Sequence, residues 1–440
     1  MVSMLLILKR LVAKFLDSHG AGMYVSCGIV VLNLCRAFFG MLLTRLMVNS
    51  IGLEKIALVS QLQSQYNLIS LIVTAPLLMP VIREVARNNP TEKFPIISKF
   101  QLNIKLCILI TSISVVGWYV LSSQSFSPLF SSRLVEVGVV LFTMLFACAN
   151  AFSTSILTGL GENLRLTIAG ILSSMVVFVL SFILLYCFGF KGAQISVFIG
   201  PIFMGCISFV VLLSVGKVGF SSDGFFSHNS GFSQVLIAGS TTLLPSLVRN
   251  VSEVIIRSKL ISSTVVGAGI WGLSFKISDI FQIYVSMVVN QYIFPEMCRR
   301  SAELLFDRDS LFRWFRFVVV IFVIPLLVVL IFPSVFTGIL FGSTSPEIAM
   351  CLRIQTAGDI LRTFGTVISF WLIACGFSKL QIFLEIAFHL IYLICSMILI
   401  PRFGSMAPNA AYVFAGGVHL CNAFLIALYV ARDKNNCDRG

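Results

Sequence analysis

Charge is scarce in this chain of 440 residues: Asp, Glu, Lys and Arg make up 11% of it, against 58% hydrophobic residues. A water-soluble chain carries roughly 25% charged residues, so more than half of the expected charge is missing and lipid is the solvent for most side chains. Metal and disulfide motifs are missing too. Of twelve cysteines no two form a CxxC pair, and Cys27, Cys35, Cys107, Cys148, Cys187, Cys206, Cys351, Cys375, Cys395 and Cys421 fall singly inside apolar runs. There a free cysteine acts as a small apolar residue. The four histidines, His19, His228, His389 and His419, are scattered with no ligand spacing, so no metal and no cofactor is expected. A signal-peptide pattern is also lacking, because Leu5 to Leu8 precede Lys9, Arg10 and Lys14 instead of following them. Residues 1–23 read as an amphipathic segment lying on the cytoplasmic membrane surface.

Long apolar runs are what the chain has in abundance. A helix crosses roughly 30 Å of hydrocarbon with about 20 mainly apolar residues. Runs of that kind lie near 24–49, 58–83, 102–122, 135–158, 166–188, 192–215, 232–257, 265–294, 315–336, 348–374, 380–400 and 409–431. Backbone groups in lipid must bond internally, and the runs lack the alternation of barrel strands, so each is expected to be a helix. The fold class predicted is an all-α polytopic membrane protein of about twelve transmembrane helices.

Basic residues sort by side. With the N-terminus inside, the inner segments hold Lys9, Arg10, Lys14, Arg83, Arg87, Lys93, Lys99, Lys105, Arg165, Lys217, Arg299, Arg300, Arg308, Arg313, Arg316, Lys379, Arg432, Lys434 and Arg439. The outer segments hold only Lys55, Arg133, Lys191, Lys259 and Arg402. Positive charge is retained on the cytoplasmic side, which predicts that both termini are cytoplasmic. The net charge of +13 then reflects topology, and no nucleic-acid partner is needed to explain it.

An internal repeat recurs at an offset of 215 residues: Gly52 with Gly267, Pro80 with Pro295, Gly161 with Gly376, and Phe188–Gly189 with Phe403–Gly404. Each match falls at a helix boundary of the same ordinal rank. The chain therefore divides into an N-terminal six-helix bundle, 24–215, a cytoplasmic linker, 216–231, a C-terminal six-helix bundle, 232–431, and a cytoplasmic tail, 432–440. Two pseudo-symmetric bundles related by an axis along the membrane normal enclose a cleft and can rock to open it on either side.

Ionised residues inside spans cost about 2.5–3.5 kcal/mol each at a helix centre and need a compensating role. Seven bases, Arg36, Arg45, Arg249, Arg257, Lys276, Arg353 and Arg362, face four acids, Glu253, Asp279, Asp359 and Glu385. Arg249, Glu253 and Arg257 recur every four residues on one helix face, and Lys276 with Asp279, and Asp359 with Arg362, stand three apart. Structural ion pairs between helices are the bland reading, with Arg45 and Arg353 snorkelling from span ends. The functional reading takes the surplus of base as a cleft for an anionic passenger, since the guanidinium fork suits phosphate and pyrophosphate. Arg36, Arg249, Arg257, Lys276 and Arg362 are the substrate-binding candidates. Glu253, Asp279, Asp359 and Glu385 are the ion-coupling candidates.

The segments GAGIWGLSFKISDIFQIYVSMVVNQYIFPEMCRR (267–300) and IQTAGDILRTFGTVISFWLIACGFSKLQIFLEIAFHL (354–390) resemble the Wzx-type lipid-linked oligosaccharide flippases. These form the polysaccharide transporter branch of the multidrug/oligosaccharidyl-lipid/polysaccharide export superfamily, and the O-antigen and enterobacterial common antigen translocases are the nearest in pattern. The resemblance implies two six-helix lobes in a bacterial inner membrane. It implies movement of undecaprenyl-pyrophosphate-linked sugar units to the periplasmic leaflet by alternating access, driven by an ion gradient. The charged lumen residues would be Arg257, Asp279, Asp359, Arg362 and Glu385; the likeness does not extend to the base at Lys276. Expected partners are the lipid-linked glycan, membrane lipids, and a glycan polymerase with its chain-length regulator, around a monomer. A multidrug exporter of the same superfamily calls for an acidic cavity, and a polytopic polymerase or ligase calls for a large periplasmic loop. A structural or channel protein is the third rival, which the duplicated rocking architecture disfavours, and no enzymatic activity is expected of a flippase.

Overall fold

The computed structural model describes residues 21–87, 94–95, 133–215, 218–219, 232–289, 297, 318–342, 345–374 and 377–437. The expected surface segment up to residue 20, the span near 102–122, and most of the linker 216–231 lie outside the described residues. So do the connectors from 96 to 101 and from 298 to 314.

Apolar runs form helices wherever the chain is described, and glycine decides where they turn. Helix α1, Ala21–Arg87, is broken at Gly52, where φ is 78° and ψ 170°. Helix α2 is Arg133–Gly159 and α3 is Asn163–Ser214, the latter folded at Gly189 with φ 55° and ψ −125°. The two arms of α3 double back so closely that a Cβ on Gly192 would overlap the Leu184 carbonyl. In the second half α4, Phe232–Ser263, meets α5, Val265–Val288, at Thr264. A π-helical turn, Val319–Val323, leads into α6, Ile324–Ile331, and then α7, Pro333–Phe341. Helix α8 is Pro346–Ala374, and α9, Ser378–Phe403, joins α10, Ala407–Cys437, through Gly404 with φ 53° and ψ −125°. Gly189 and Gly404, one repeat offset apart, thus hold the same backbone conformation, one that only glycine adopts without strain.

The architecture is all-α and polytopic, with about twelve transmembrane helices in two bundles. By length and composition Val135–Gly159, Leu164–Ser214, Pro346–Ala374 and Lys379–Tyr429 are each sufficient to cross a membrane, and the second and fourth carry two spans apiece around their glycines. Two details depart from the expected pattern. Gly267 is helical, and the break matching Gly52 comes earlier, at Thr264. The ninth span, expected to run straight over 315–336, bends by 90° between Ile331 and Pro333. Proline has no N–H to give the preceding turn and its ring crowds it, so the helix stops at Ile331 and a new one starts. A two-residue parallel pairing of Phe94–Pro95 with Val218–Gly219 straps together the connectors that follow α1 and α3.

Each half has its own core. In the first, Leu62, Tyr66, Ile69 and Val73 of α1 bury against Val140 and Met144 of α2 and Phe198 of α3. In the second, Val285, Phe322 and Val367 pack together, and Ile368 and Leu372 meet Leu384 and Ala423. The halves join at the end that carries Gly52, Gly189, Thr264 and Gly404. There Met47, Ile56, Leu185 and Ala193 pack on Ile270, Leu273, Phe341 and Ile348, while Ala57 packs on Ile256 and Leu260. Outward-facing Leu172, Phe182, Ile398 and Leu425 stay exposed, as side chains solvated by acyl tails do.

Candidate functional site

Helical periodicity brings the ionised residues of the second half to one place. On α4, Arg249 and Glu253 are one turn apart, and Arg249 Nε donates to Glu253 Oε1 at 2.9 Å. The same guanidinium reaches across to Asp279 on α5 through Nη2. Arg249 and Asp279 keep 32% and 35% of their side-chain surface, because they line a small opening rather than sit in solid packing. Glu253, Phe275, Ser278, Gln282, Arg362, His389, Tyr392 and Tyr412 complete that lining. The free space is about 10 Å³, room for one water at most.

A second group centres on Asp359 of α8, which is 2% exposed. Its Oδ1 accepts from Ser278 Oγ at 2.7 Å, from Gln282 Nε2 at 3.1 Å and from the Tyr412 hydroxyl at 3.1 Å. Gln355 Nε2 donates to Ser278 Oγ at 3.0 Å and holds it in position. Arg362, on the face of α8 shared with Asp359, donates to the Tyr412 hydroxyl at 3.4 Å and lies 3.5 Å from Glu385 of α9. Its guanidinium also stacks 4.3 Å from the Phe388 ring centre. Glu385 Oε1 is 4.0 Å from His419 Nε2 of α10. Two glycines permit this packing: a Cβ at Gly358 would collide with the Tyr412 ring, and one at Gly365 with the His419 imidazole. Helices α8 and α10 therefore approach closely enough to bring Tyr412 and His419 into the cluster.

Arg257, two turns above Arg249 on α4, belongs to neither group. It is 4% exposed, stacks 4.7 Å from the Trp271 ring centre, and its Nε and Nη1 find no hydrogen-bond partner among the described residues. Lys276 has Arg257 and Asp279 as its charged neighbours.

The structure thus assembles Arg249, Glu253, Asp279, Asp359, Arg362 and Glu385, with Arg257 and Lys276 beside them. It differs from the sequence expectation in three ways. The cluster sits inside the C-terminal bundle and not in a vestibule shared by both. Arg45 and Arg353 are exposed near helix ends and donate to the backbone carbonyls of Ile339 at 2.8 Å and Leu330 at 3.3 Å, which takes them out of the interior balance. Arg36 lies on α1, where side chains are described from Ala37 onward. Four bases remain in the described interior against four acids of the second half and the buried Glu136 of α2, so any surplus of positive charge is local to Arg257 and Lys276. The two histidines among the described residues are not scattered in space either: His389 and His419 both pack on Phe388.

Sequence reasoning also passed over the neutral members Ser278, Gln282, Gln355 and Tyr412. A signal existed, since Ser274, Ser278 and Gln282 on α5, and Gln355, Asp359 and Thr363 on α8, repeat every four residues as polar stripes in apolar helices. His419 and Tyr412 carry no such signal, because their neighbours come from other helices. Among the described residues no group of His, Cys, Asp and Glu is arranged to hold a metal ion.

No family model matches the chain, and no curated protein does. Solved structures share its fold. An inward-facing multidrug resistance MATE family transporter of the MOP superfamily is 16% identical with a TM-score of 0.71, over 93% of this chain and 99% of that one. An outward-facing transporter of the same description is 17% identical with a TM-score of 0.63, over 95% and 98%. A MOP superfamily transporter from Pyrococcus furiosus, described as having a binding pocket of reverse polarity that suggests a different function, is 15% identical with a TM-score of 0.57, over 94% and 96%. At these identities the likeness is one of fold.

Proposed function

We propose that this chain is an alternating-access transporter that moves an undecaprenyl-pyrophosphate-linked oligosaccharide from the cytoplasmic to the periplasmic leaflet of a bacterial inner membrane. The fold supports transport, since it is the fold of transporters described in inward-facing and outward-facing forms. One observation carries the choice of an anionic cargo: Arg257 is a buried guanidinium with no ion pair among the described residues, the acid whose charge reaches it, Glu253, being bonded to Arg249. A buried unpaired charge is costly, and a phosphate-bearing headgroup supplies the missing partner. Arg249 and Arg362 are already engaged by carboxylates, so in this reading they serve the coupling of Glu253, Asp279, Asp359 and Glu385 to an ion gradient as much as the cargo.

Basic inner segments orient the chain with its termini in the cytoplasm. The packed end at Gly52 and Gly404 is then periplasmic, and the conformation is closed outward. A pathway polymerase and chain-length regulator would work beside this chain without contributing to its interior.

A second reading, export of cationic drugs, draws support from Glu253 and Asp279 lining the small opening. The engagement of both carboxylates by Arg249 weighs against it. An enzyme of glycan polymerisation is disfavoured by the one-residue turns at Gly52 and Gly189, which leave no periplasmic domain at those places.

Reconstitution in vesicles with a labelled lipid-linked glycan tests the proposal. Label becomes accessible in the opposite leaflet at unchanged glycan length if the reading holds. Lengthened glycan, or drug efflux without glycan movement, would replace it.

A further inference from the structure

The seam between the two halves closes over Arg257. A Cβ at Gly272 of α5 would stand 3.0 Å from Arg257 Nη1 and 4.0 Å from Ser60 Oγ, so the guanidinium lies in the notch that this glycine leaves opposite α1. Next to it Gln61 Nε2 of α1 donates to Ser258 Oγ of α4 at 2.7 Å, a bond that crosses from one half to the other. Trp271, fully buried, covers one face of the guanidinium. The amide oxygens of Gln61 and Gln65 are buried here without partners. Lys276, one turn below Gly272 on the same face of α5, adds a second positive charge. Glu253, the acid one turn away on α4, is bonded to Arg249.

We infer that Arg257, with Lys276, forms a phosphate-binding site inside this seam, and that the ligand reaches it only when the seam parts. The inference deepens the function proposed above and rests on it. In the closed seam the guanidinium is desolvated, with the charge of Glu253 one turn away and stacking on Trp271 as partial compensation, so the closed state carries a penalty that the open state lacks. A phosphate oxyanion adds to that difference, because it pairs with Arg257 in the open state and has no place in the closed one. A ligand moves a conformational equilibrium only by such a difference in affinity. The orphan guanidinium therefore acts as the device by which cargo opens the seam toward the side of Gly52. Lys276 contributes attraction, Arg257 the directional hydrogen bonds.

Spin labels at Lys55→Cys and Lys259→Cys, exposed positions flanking the seam in different halves, read its opening in the full chain with native cysteines replaced, held in phosphatidylcholine nanodiscs. Inorganic pyrophosphate should raise the long-distance population several-fold. Arg257→Gln should abolish that response and Arg257→Lys should keep part of it. Arg257→Leu, which removes the buried charge, should favour the short distance before any ligand is added. An unchanged distribution with pyrophosphate, or an equal shift in Arg257→Gln, would overturn the site. Two sources of phosphate are separated by adding phosphatidylglycerol or a prenyl diphosphate in place of pyrophosphate. A shift with the first identifies a bilayer lipid as ligand, and a shift with the second alone identifies a carried headgroup. A chain that flips glycan while its seam ignores pyrophosphate loses this site and keeps its function; a seam that answers pyrophosphate in a chain that moves no glycan loses the cargo and keeps the site.

Discussion

The Tyr412 hydroxyl donates to the Asp359 oxygen that Ser278 and Gln282 also reach, and on its other side it accepts from Arg362. One phenol thus ties the α8 acid to the α8 base through a residue of α10. Hydrogen bonds to an ionised group contribute about 1.5–3 kcal/mol. Tyr412→Phe is therefore expected to lower the thermal unfolding temperature in detergent and to reduce glycan export without abolishing it.

Full loss is expected where the charge itself is removed. Arg257→Ala, Asp359→Ala and Arg362→Ala should each abolish surface glycan while the protein remains in the membrane. Immunoblots of membrane fractions beside glycan staining check this, and normal glycan in all three at normal expression would take the interior charges out of the mechanism.

Much of the fold was legible because bilayer thickness imposes a run length, and because Gly52, Gly189 and Gly404 punctuate the runs where the backbone turns. The 90° bend after Ile331 was less so: Pro333 marked a break, but the direction of the following helix depends on packing of Phe341 against the first half. Spacing placed Arg249 with Glu253 and Asp359 with Arg362 on shared faces. It could not say which helix each face would meet, and that is why the cluster was expected between the halves when it lies within the second. His419 shows the limit most plainly, since only the gap left by Gly365 on another helix brings it toward Glu385.

Gly189 and Gly404 give a test of the repeat at the level of the backbone. Their φ values of 55° and 53° with ψ of −125° suit glycine alone. Gly189→Ala and Gly404→Ala should each destabilise by about 1–3 kcal/mol. Gly138, helical with open space about its Cα, is the control, and its replacement by Ala should be neutral or stabilising. Thermal unfolding in detergent reads the difference. Equal effects at all three positions would mean that the shared turn carries no strain for a side chain.

Arg249 joins two carboxylates, so removing it leaves the largely buried Glu253 and the partly exposed Asp279 both unpaired. Arg249→Met is expected to cost less than the roughly 3–5 kcal/mol of breaking a fully buried pair, because Arg249 and Asp279 keep about a third of their side-chain surface. Adding Glu253→Gln and Asp279→Asn to Arg249→Met should restore much of the stability, because the uncompensated charges go with it. Transport should stay lost in the triple variant if these groups also couple the ion. Restored stability with restored transport would make the trio a purely structural bridge.

The last prediction concerns the sign of the ion coupling. Protons load carboxylates from the side where proton activity is higher, and outward movement of an anionic cargo draws on protons moving inward. At fixed internal pH, acidifying the periplasmic side of reconstituted vesicles should speed translocation and alkalinising it should slow it, while a protonophore brings the rate toward its ungated level. Asp359→Asn places a group that cannot ionise among the three donors that now meet Oδ1, so its residual rate should no longer follow external pH. Replacing sodium by choline should leave the parent unchanged, since the described interior offers carboxylates already engaged by Arg249, Arg362 and Tyr412 in place of an open oxygen cage for a metal cation. Flipping that proceeds at full rate with the protonophore and stops without sodium would assign the carboxylates to a different ion.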